Sequence, residues 1–295
     1  ERYFAGMTPG QPHQWASLSK SVTGLLAAIL GHEGLLDVAP PVARYVPELA
    51  GTPFGEATVR QCLDMEAAAD WPAGLTDLDW LAAAGLAPRP AAGGPVGVRA
   101  FVRDVPKACG RPHGSCFHYN NPAAEAVAWA IERAAGRPWH ELVADRIWSR
   151  IGAEADASVL LDPTGVPLAS GGMNATLRDL ARLAEVVRTG GVAGGRQVLP
   201  AAAVAACVAP ATNADRFAAG NIAAGRAGYG FRNLWYHAND ADGSVVATGR
   251  FGQRAVINPK RGVVIAMLGA HPGRSDETAD GVAALVRSIL EVLPR

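Results

Sequence analysis

The segment Trp15-Ala16-Ser17-Leu18-Ser19-Lys20-Ser21-Val22-Thr23-Gly24-Leu25-Leu26 reads as the opening of a buried helix over residues 15–31. Val22, Leu25, Leu26, Ile29 and Leu30 recur at the three-to-four spacing of one helix face. Ser17 and Lys20 are three apart, so on a helix they share a face and the amine can reach the hydroxyl. A serine hydroxyl is a weak nucleophile and needs a base. A lysine serves only where burial or a neighbouring charge lowers its pKa. The helix start adds N–H groups and the positive end of a dipole to face an oxyanion. By itself S-x-x-K arises by chance in many chains, and Ser17 could be a plain helix cap. Ser19 competes as a serine, but no lysine follows it at the same interval.

Two further segments carry candidate chemistry. Tyr119-Asn120-Asn121-Pro122 sits where a loop after Gly114-Ser115-Cys116-Phe117-His118 enters a helix, a place from which a phenol can project into a cleft. Asn121 before Pro122 has the form of an N-cap and first helical proline. The alternative for Tyr119 is a core residue. Ala247-Thr248-Gly249-Arg250-Phe251-Gly252-Gln253 reads as a strand. Its glycines would let a substrate approach the backbone or would mark a bulge.

With 295 residues, 49% of them hydrophobic, the chain can bury a substantial core. Lys plus Arg (27) balances Asp plus Glu (27), so charge points to neither nucleic acid nor an acidic membrane surface. No apolar run approaches the ~20 residues of a membrane span. The histidines at 13, 32, 113, 118, 140, 237 and 271 show no zinc spacing, so no metal and no cofactor is expected. Cys109 and Cys116 bracket a turn and could pair in an oxidising compartment; four free thiols are the plainer alternative. The sequence leaves cytoplasmic and periplasmic or secreted placement equally open, and the oligomeric state unread.

Thr58 to Met65, Asn121 to Gly136, Trp139 to Ile151 and a segment opened by Thr176 with Asp179 are expected as helices. Residues 70–115 read as a loop-rich lid or pocket wall. Glu1-Arg2-Tyr3-Phe4 is strand-like, and Phe231–His237, Ser244–Arg250, Arg254–Asn258 and Val263–Leu268 read as strands before a last helix near 278–293. The fold class is therefore α/β (α+β): an antiparallel sheet flanked by helices, plus a helical lobe. Residues 1–45 and 166–295 are assigned to the sheet lobe and 46–165 to the helical one, with the site in the cleft between them.

In combination, S-x-x-K, then Y-x-N, then a strand with Thr-Gly near the end follow the order of the penicillin-recognising serine enzymes. Gly34-Leu35-Leu36-Asp37-Val38-Ala39-Pro40-Pro41-Val42, Tyr45-Val46-Pro47-Glu48-Leu49, Thr58-Val59-Arg60-Gln61-Cys62-Leu63-Asp64-Met65 and Phe251-Gly252-Gln253-Arg254-Ala255-Val256-Ile257-Asn258-Pro259 extend the likeness. The chain resembles the serine β-lactamase-like superfamily over nearly its whole length, closest to the class C-like, family VIII esterase and 6-aminohexanoate-dimer hydrolase branch. The resemblance implies a β-lactamase/transpeptidase-like fold, Ser17 as nucleophile, Lys20 as the motif lysine and Tyr119 as general acid/base. It implies Asn121 as the residue orienting substrate, Ala247-Thr248-Gly249 in the place of Lys-Thr-Gly, and an oxyanion hole from the N–H groups of Ser17 and Arg250. Two departures stand out. Ala247 replaces the motif lysine, which makes β-lactam hydrolysis or peptidoglycan trimming doubtful, and Arg250 on the same strand should point to the opposite face. The family's usual helix and strand before Glu1 are expected to be missing. The expected activity is hydrolysis of a small ester or amide through an acyl-enzyme. A weak β-lactamase or D-amino-acid peptidase, and a silent binding protein, are the alternatives.

Overall fold

The computed structural model of the protein describes residues 1–70, 77–90, 93–108, 110–222, 225–271 and 279–292. The helix expected over residues 15–31 appears as α1 (Leu18–His32), starting slightly later than read from the sequence. It is buried almost all round, because other elements pack on every side of it. Gly24 explains how one neighbour comes so close. A Cβ there would lie 1.8 Å from the carbonyl oxygen of Asn233, so the glycine is required despite the ~1 kcal/mol it costs a helix interior.

In the middle of the chain Thr58 caps Val59–Leu63 in a reciprocal box with Gln61. The loop-rich reading of residues 70–115 needs correction. Asp77–Ala83 and Val98–Asp104 are helical, and the second packs on α2 (Asn121–Ala135). Residues 71–76, 91–92 and 109 lie outside the described ones, and with Cys109 goes the question of its pairing. The start of α2 is also corrected. Asn120, not Asn121, is the N-cap: its Oδ1 accepts from the N–H of Ala123 at 2.8 Å. Trp139–Val143 continues through a wider turn at Ala144–Trp148. Thr176 caps α3 (Leu177–Arg188) by accepting from Asp179 N–H, and α4 (Ala201–Val208) packs on α1.

The last third forms a five-stranded antiparallel meander in which each strand pairs with the next. Its strands are β1 (Gly230–Arg232), β2 (Trp235–His237), β3 (Val245–Gly249), β4 (Gln253–Asn258) and β5 (Val263–Met267). The single strand expected over Phe231–His237 is thus a hairpin. Asn233 (φ 49°) and Leu234 (φ 63°) form its two-residue left-handed turn. Asn suits that turn and Leu does not, but the Leu234 side chain is buried, which offsets the backbone strain. Helix α3 packs against β4 and β5, and the chain ends in the helix Ala279–Val292.

A second, small sheet joins His13–Gln14 to Met173–Ala175 and that to Ser158–Val159. It ties the segment before α1 to the segment before α3. Glu1–Phe4, read as strand-like, is in no strand. Buried apolar side chains from α1, α2, α3 and the sheet form one continuous cluster. No described helix is long and apolar enough to cross a membrane.

Candidate active site

The turn into α1 is built to expose one serine of three. Trp15 is fully buried, its N–H donating to Met173 O at 2.9 Å and its indole Nε1 to Ala175 O at 3.2 Å. Ala16 then takes φ +48°, a left-handed conformation rare for a residue with a side chain. Ser17 follows in the N-cap position, half-buried, and its side chain makes no cap bond. Ser19 is 0% exposed, with its hydroxyl donating to Ala16 O at 2.7 Å and accepting from Met173 N–H at 3.1 Å. Ser21 donates to Leu234 O at 2.9 Å. Ser19 is thus occupied in holding the turn, and Ser21 in holding the Asn233-Leu234 hairpin against α1.

Lys20 is 2% exposed. Its ammonium donates to Ser17 Oγ at 3.0 Å, to Asn121 Oδ1 at 2.7 Å and to Ser170 O at 2.7 Å. The correction at the head of α2 explains why Asn121 is available. Asn120 satisfies the helix end, so the next side chain can turn to Lys20. The same ammonium lies 5.0 Å from the centroid of the Tyr119 ring. An ammonium at the face of a phenol favours the ring's negative charge.

Tyr119 is held by its backbone and its ring. Its N–H donates to Asn221 Oδ1 at 2.8 Å, and Asn221 Nδ2 donates back to Tyr119 O at 3.0 Å. The ring stacks on Tyr236 (centroids 6.3 Å, planes 19° apart) and meets Phe231 edge-on at 6.3 Å. The loop entering α2 is held at the preceding residue, where the His118 N–H donates to Met65 O at 2.6 Å.

β3 reaches the same place from the sheet. A Cβ on Gly249 would lie 2.4 Å from Trp15 O and 3.2 Å from Ala16 Cβ, so the glycine lets the strand end pack directly on the turn before Ser17. A Cβ on Gly252 would strike the His271 ring at 2.2 Å. Protein packing alone thus requires a residue without a side chain at 249 and at 252. Arg250 is corrected too. The strand ends at Gly249, and Arg250 opens a turn in which Phe251 has φ +65°, so strand alternation does not set its direction. Ala247 is buried opposite Ala255.

Three segments thus bring Ser17 and Lys20, Tyr119 and Asn121, and Gly249 with the following Arg250 to one locality. Chemically the group can offer a hydroxyl beside a cation, a phenol at that cation and an N-terminal N–H. The Ser17 N–H donates to no described acceptor. Among the described residues no three His, Cys, Asp or Glu side chains converge as a metal centre would need.

The sequence profile of the beta-lactamase family matches residues 1–288. The chain belongs to the beta-lactamase family. A 6-aminohexanoate-dimer hydrolase of Paenarthrobacter ureafaciens is 31% identical over 280 residues, 92% of this chain and 69% of that protein. A Bacillus anthracis structure assigned as a 6-aminohexanoate-dimer hydrolase superposes with a TM-score of 0.88 at 31% identity, over 100% of this chain and 77% of the other. A family VIII carboxylesterase superposes with a TM-score of 0.63 over 90% and 79% at 17% identity, a likeness of fold alone. The beta-lactamase family and these relatives place the chain among serine hydrolases with a β-lactamase/transpeptidase-like fold.

Residues missed in the sequence complete this beta-lactamase-family site. Ser170, whose carbonyl receives Lys20, is itself held by Glu125 Oε1, which accepts the Ser170 N–H at 2.8 Å. Glu125 is 5% exposed, and burial raises its pKa to about 7, against the pull of Ser170 and of the Lys20 charge. A lone carboxylate in the alanine-rich run Ala123-Ala124-Glu125-Ala126-Val127-Ala128, one turn after Asn121, was the available signal. Ser170 and Asn221 act through backbone contacts, for which the sequence carries no motif.

Proposed function

We propose that the chain cleaves a small ester or amide through an acyl-enzyme at Ser17. The observation that carries this reading is the Lys20 ammonium, which bridges Ser17 Oγ and Asn121 Oδ1 while lying at the Tyr119 ring. With its three hydrogen bonds Lys20 acts as a cation, and the phenolate it favours is the base. Tyr119 takes the Ser17 proton as Oγ adds to the substrate carbonyl. The oxyanion faces the N–H groups of Ser17 and Arg250, each such donor worth about 3 kcal/mol. Tyr119 then returns the proton to the departing alcohol or amine. Water, activated by the same phenolate, cleaves the acyl-serine and restores the resting state. Asn121 orients both Lys20 and the substrate, and the cleft lies between the 46–165 segment and the two ends of the chain.

The curated relative is named for a 6-aminohexanoate dimer, and a fold neighbour is a carboxylesterase, which supports esters and amides as the substrate class. The buried Ala247 leaves no cation where a Lys-Thr-Gly lysine would stand, which weighs against β-lactams. A panel of short-chain p-nitrophenyl esters, linear amides and nitrocefin tests the proposal. The expected order places esters or amides ahead of nitrocefin. Turnover of nitrocefin at or above the best ester would overturn it.

A further inference from the structure

Two residues with side chains take the left-handed conformation beside the reacting serine. Ala16 (φ +48°) comes directly before Ser17, and Phe251 (φ +65°, ψ 20°) directly after Arg250. They bracket the two N–H groups proposed to receive the oxyanion. Their segments meet at Gly249, where a Cβ would lie 3.2 Å from Ala16 Cβ. Consecutive Cα atoms are about 3.8 Å apart, so the Phe251 Cα stands within about 8 Å of the Gly249 Cα.

The turn at Phe251 is held from outside. Its carbonyl accepts the His271 N–H at 3.1 Å. The Gln253 side chain grips Gly269 in both directions, Nε2 donating to Gly269 O at 2.8 Å and Oε1 accepting from Gly269 N–H at 2.8 Å. These contacts fix the backbone, and a glycine or an asparagine at 251 would meet them with less strain. Met65 and Leu234, the other large side chains in this conformation, are buried, so packing offsets their strain. The Phe251 ring is 40% exposed, so it carries the strain and leaves apolar surface in water as well. Neither the backbone nor the core accounts for an aromatic residue there. An apolar group bound beside Ser17 would cover the ring and explain both costs, and strain of this kind is found where ligands are held.

We propose that Phe251 is a specificity-determining residue whose ring forms an apolar wall of the substrate site. An alkyl or aromatic group flanking the scissile carbonyl lies against it. The inference rests on the proposed hydrolase and narrows its substrates to esters and amides with an apolar group next to the reacting bond.

The test measures kcat/KM for two pairs of esters. p-Nitrophenyl butyrate and acetate differ in the acyl chain; phenyl acetate and ethyl acetate differ in the leaving group. The ratio of larger to smaller ester is compared between variant and wild type, so the esters' own reactivities cancel. Phe251→Gly and Phe251→Asn suit a left-handed turn and should leave the melting temperature at or above that of wild type. In at least one pair both should lower the ratio by roughly tenfold, the scale of burying two methylenes, with the change in KM more than in kcat. Phe251→Leu, apolar but still strained, should retain most of the wild-type ratio. Unchanged ratios in both pairs, an equal loss on all four esters, or a lowered melting temperature in both variants would overturn the wall. If wild type turns over none of the esters, the hydrolase reading fails and the wall with it; turnover with unchanged ratios refutes the wall alone.

Discussion

Lys20 and Asn121 meet across 101 residues of chain, the ammonium donating to the amide oxygen at 2.7 Å. The contact joins α1 to the head of α2 and is made possible by the residue beside it. Asn120 caps the helix and Asn121 is left to serve Lys20. Adjacent asparagines therefore have separable roles. Asn120→Ala should cost about 1 kcal/mol of stability, the usual value of a lost N-cap, read by urea unfolding. Asn121→Ala should cost at least as much stability, about 1.5–3 kcal/mol, since the buried Lys20 charge loses an acceptor, and should also lower ester turnover by roughly tenfold or more, whereas Asn120→Ala should leave turnover near wild type. Equal effects of the two substitutions on both measurements would show that the roles are not divided.

The phenol of Tyr119 is predicted to carry the proton between Ser17 and the leaving group. Tyr119→Phe keeps the ring that stacks on Tyr236 and removes only the hydroxyl. Folding should persist while kcat falls by about 10²-fold or more. Stopped-flow or steady-state ester kinetics on a variant with unchanged circular dichroism checks this. Full activity would make Tyr119 a packing residue.

Glu125 gives stability a pH dependence of known sign. Its folded pKa, about 7, lies above its ordinary 4.5 because the buried site disfavours the charged form. Its contribution is complete below pH 4.5 and is lost as pH rises through 7. At 1.36 kcal/mol per unit the loss is on the order of 3 kcal/mol. Glu125→Gln cannot ionise and should lack this decline. Chemical denaturation of both proteins from pH 4 to 8.5 should give curves that diverge. Parallel curves would mean that Glu125 ionises as readily folded as unfolded.

Gly249→Ala tests the approach of β3 to the Ser17 turn. The added methyl would meet a backbone carbonyl, that of Trp15, at 2.4 Å and cannot be absorbed by a side-chain rotation. Overpacking of this kind costs about 1–3 kcal/mol, and the displaced strand end carries Arg250 away from Ser17. Both the melting temperature and kcat/KM should fall. An unchanged kcat/KM would show that the strand end does not help to shape the site.

What was legible in the sequence followed from local periodicity and motif order. The apolar face of α1, the Thr58–Gln61 box and the Thr176 cap are local patterns, and the structure contains each of them. The hairpin at Asn233-Leu234 was hidden because a leucine stands where the turn demands φ > 0, and only tertiary burial stabilises it there. The division of labour between Asn120 and Asn121 was hidden for a related reason. Either residue can cap a helix, and the choice is made by Lys20, 101 residues away. Gly249 was visible as a glycine but not as a contact, because its reason is the Trp15 carbonyl on another segment. Glu125 and Ser170 carried no motif, since they act by holding backbone rather than by residue spacing.

The central claim is that Ser17, alone among the serines of this turn, is the nucleophile. Ser19 and Ser21 spend their hydroxyls on Ala16, Met173 and Leu234, whereas Ser17 faces Lys20. Treatment of the folded wild-type protein with a fluorophosphonate, followed by peptide mapping in a mass spectrometer, reads this directly. A single adduct on Ser17, absent from Ser17→Ala and weakened in Tyr119→Phe, is the predicted result. An adduct on Ser19 or Ser21, or none on Ser17, would contradict it.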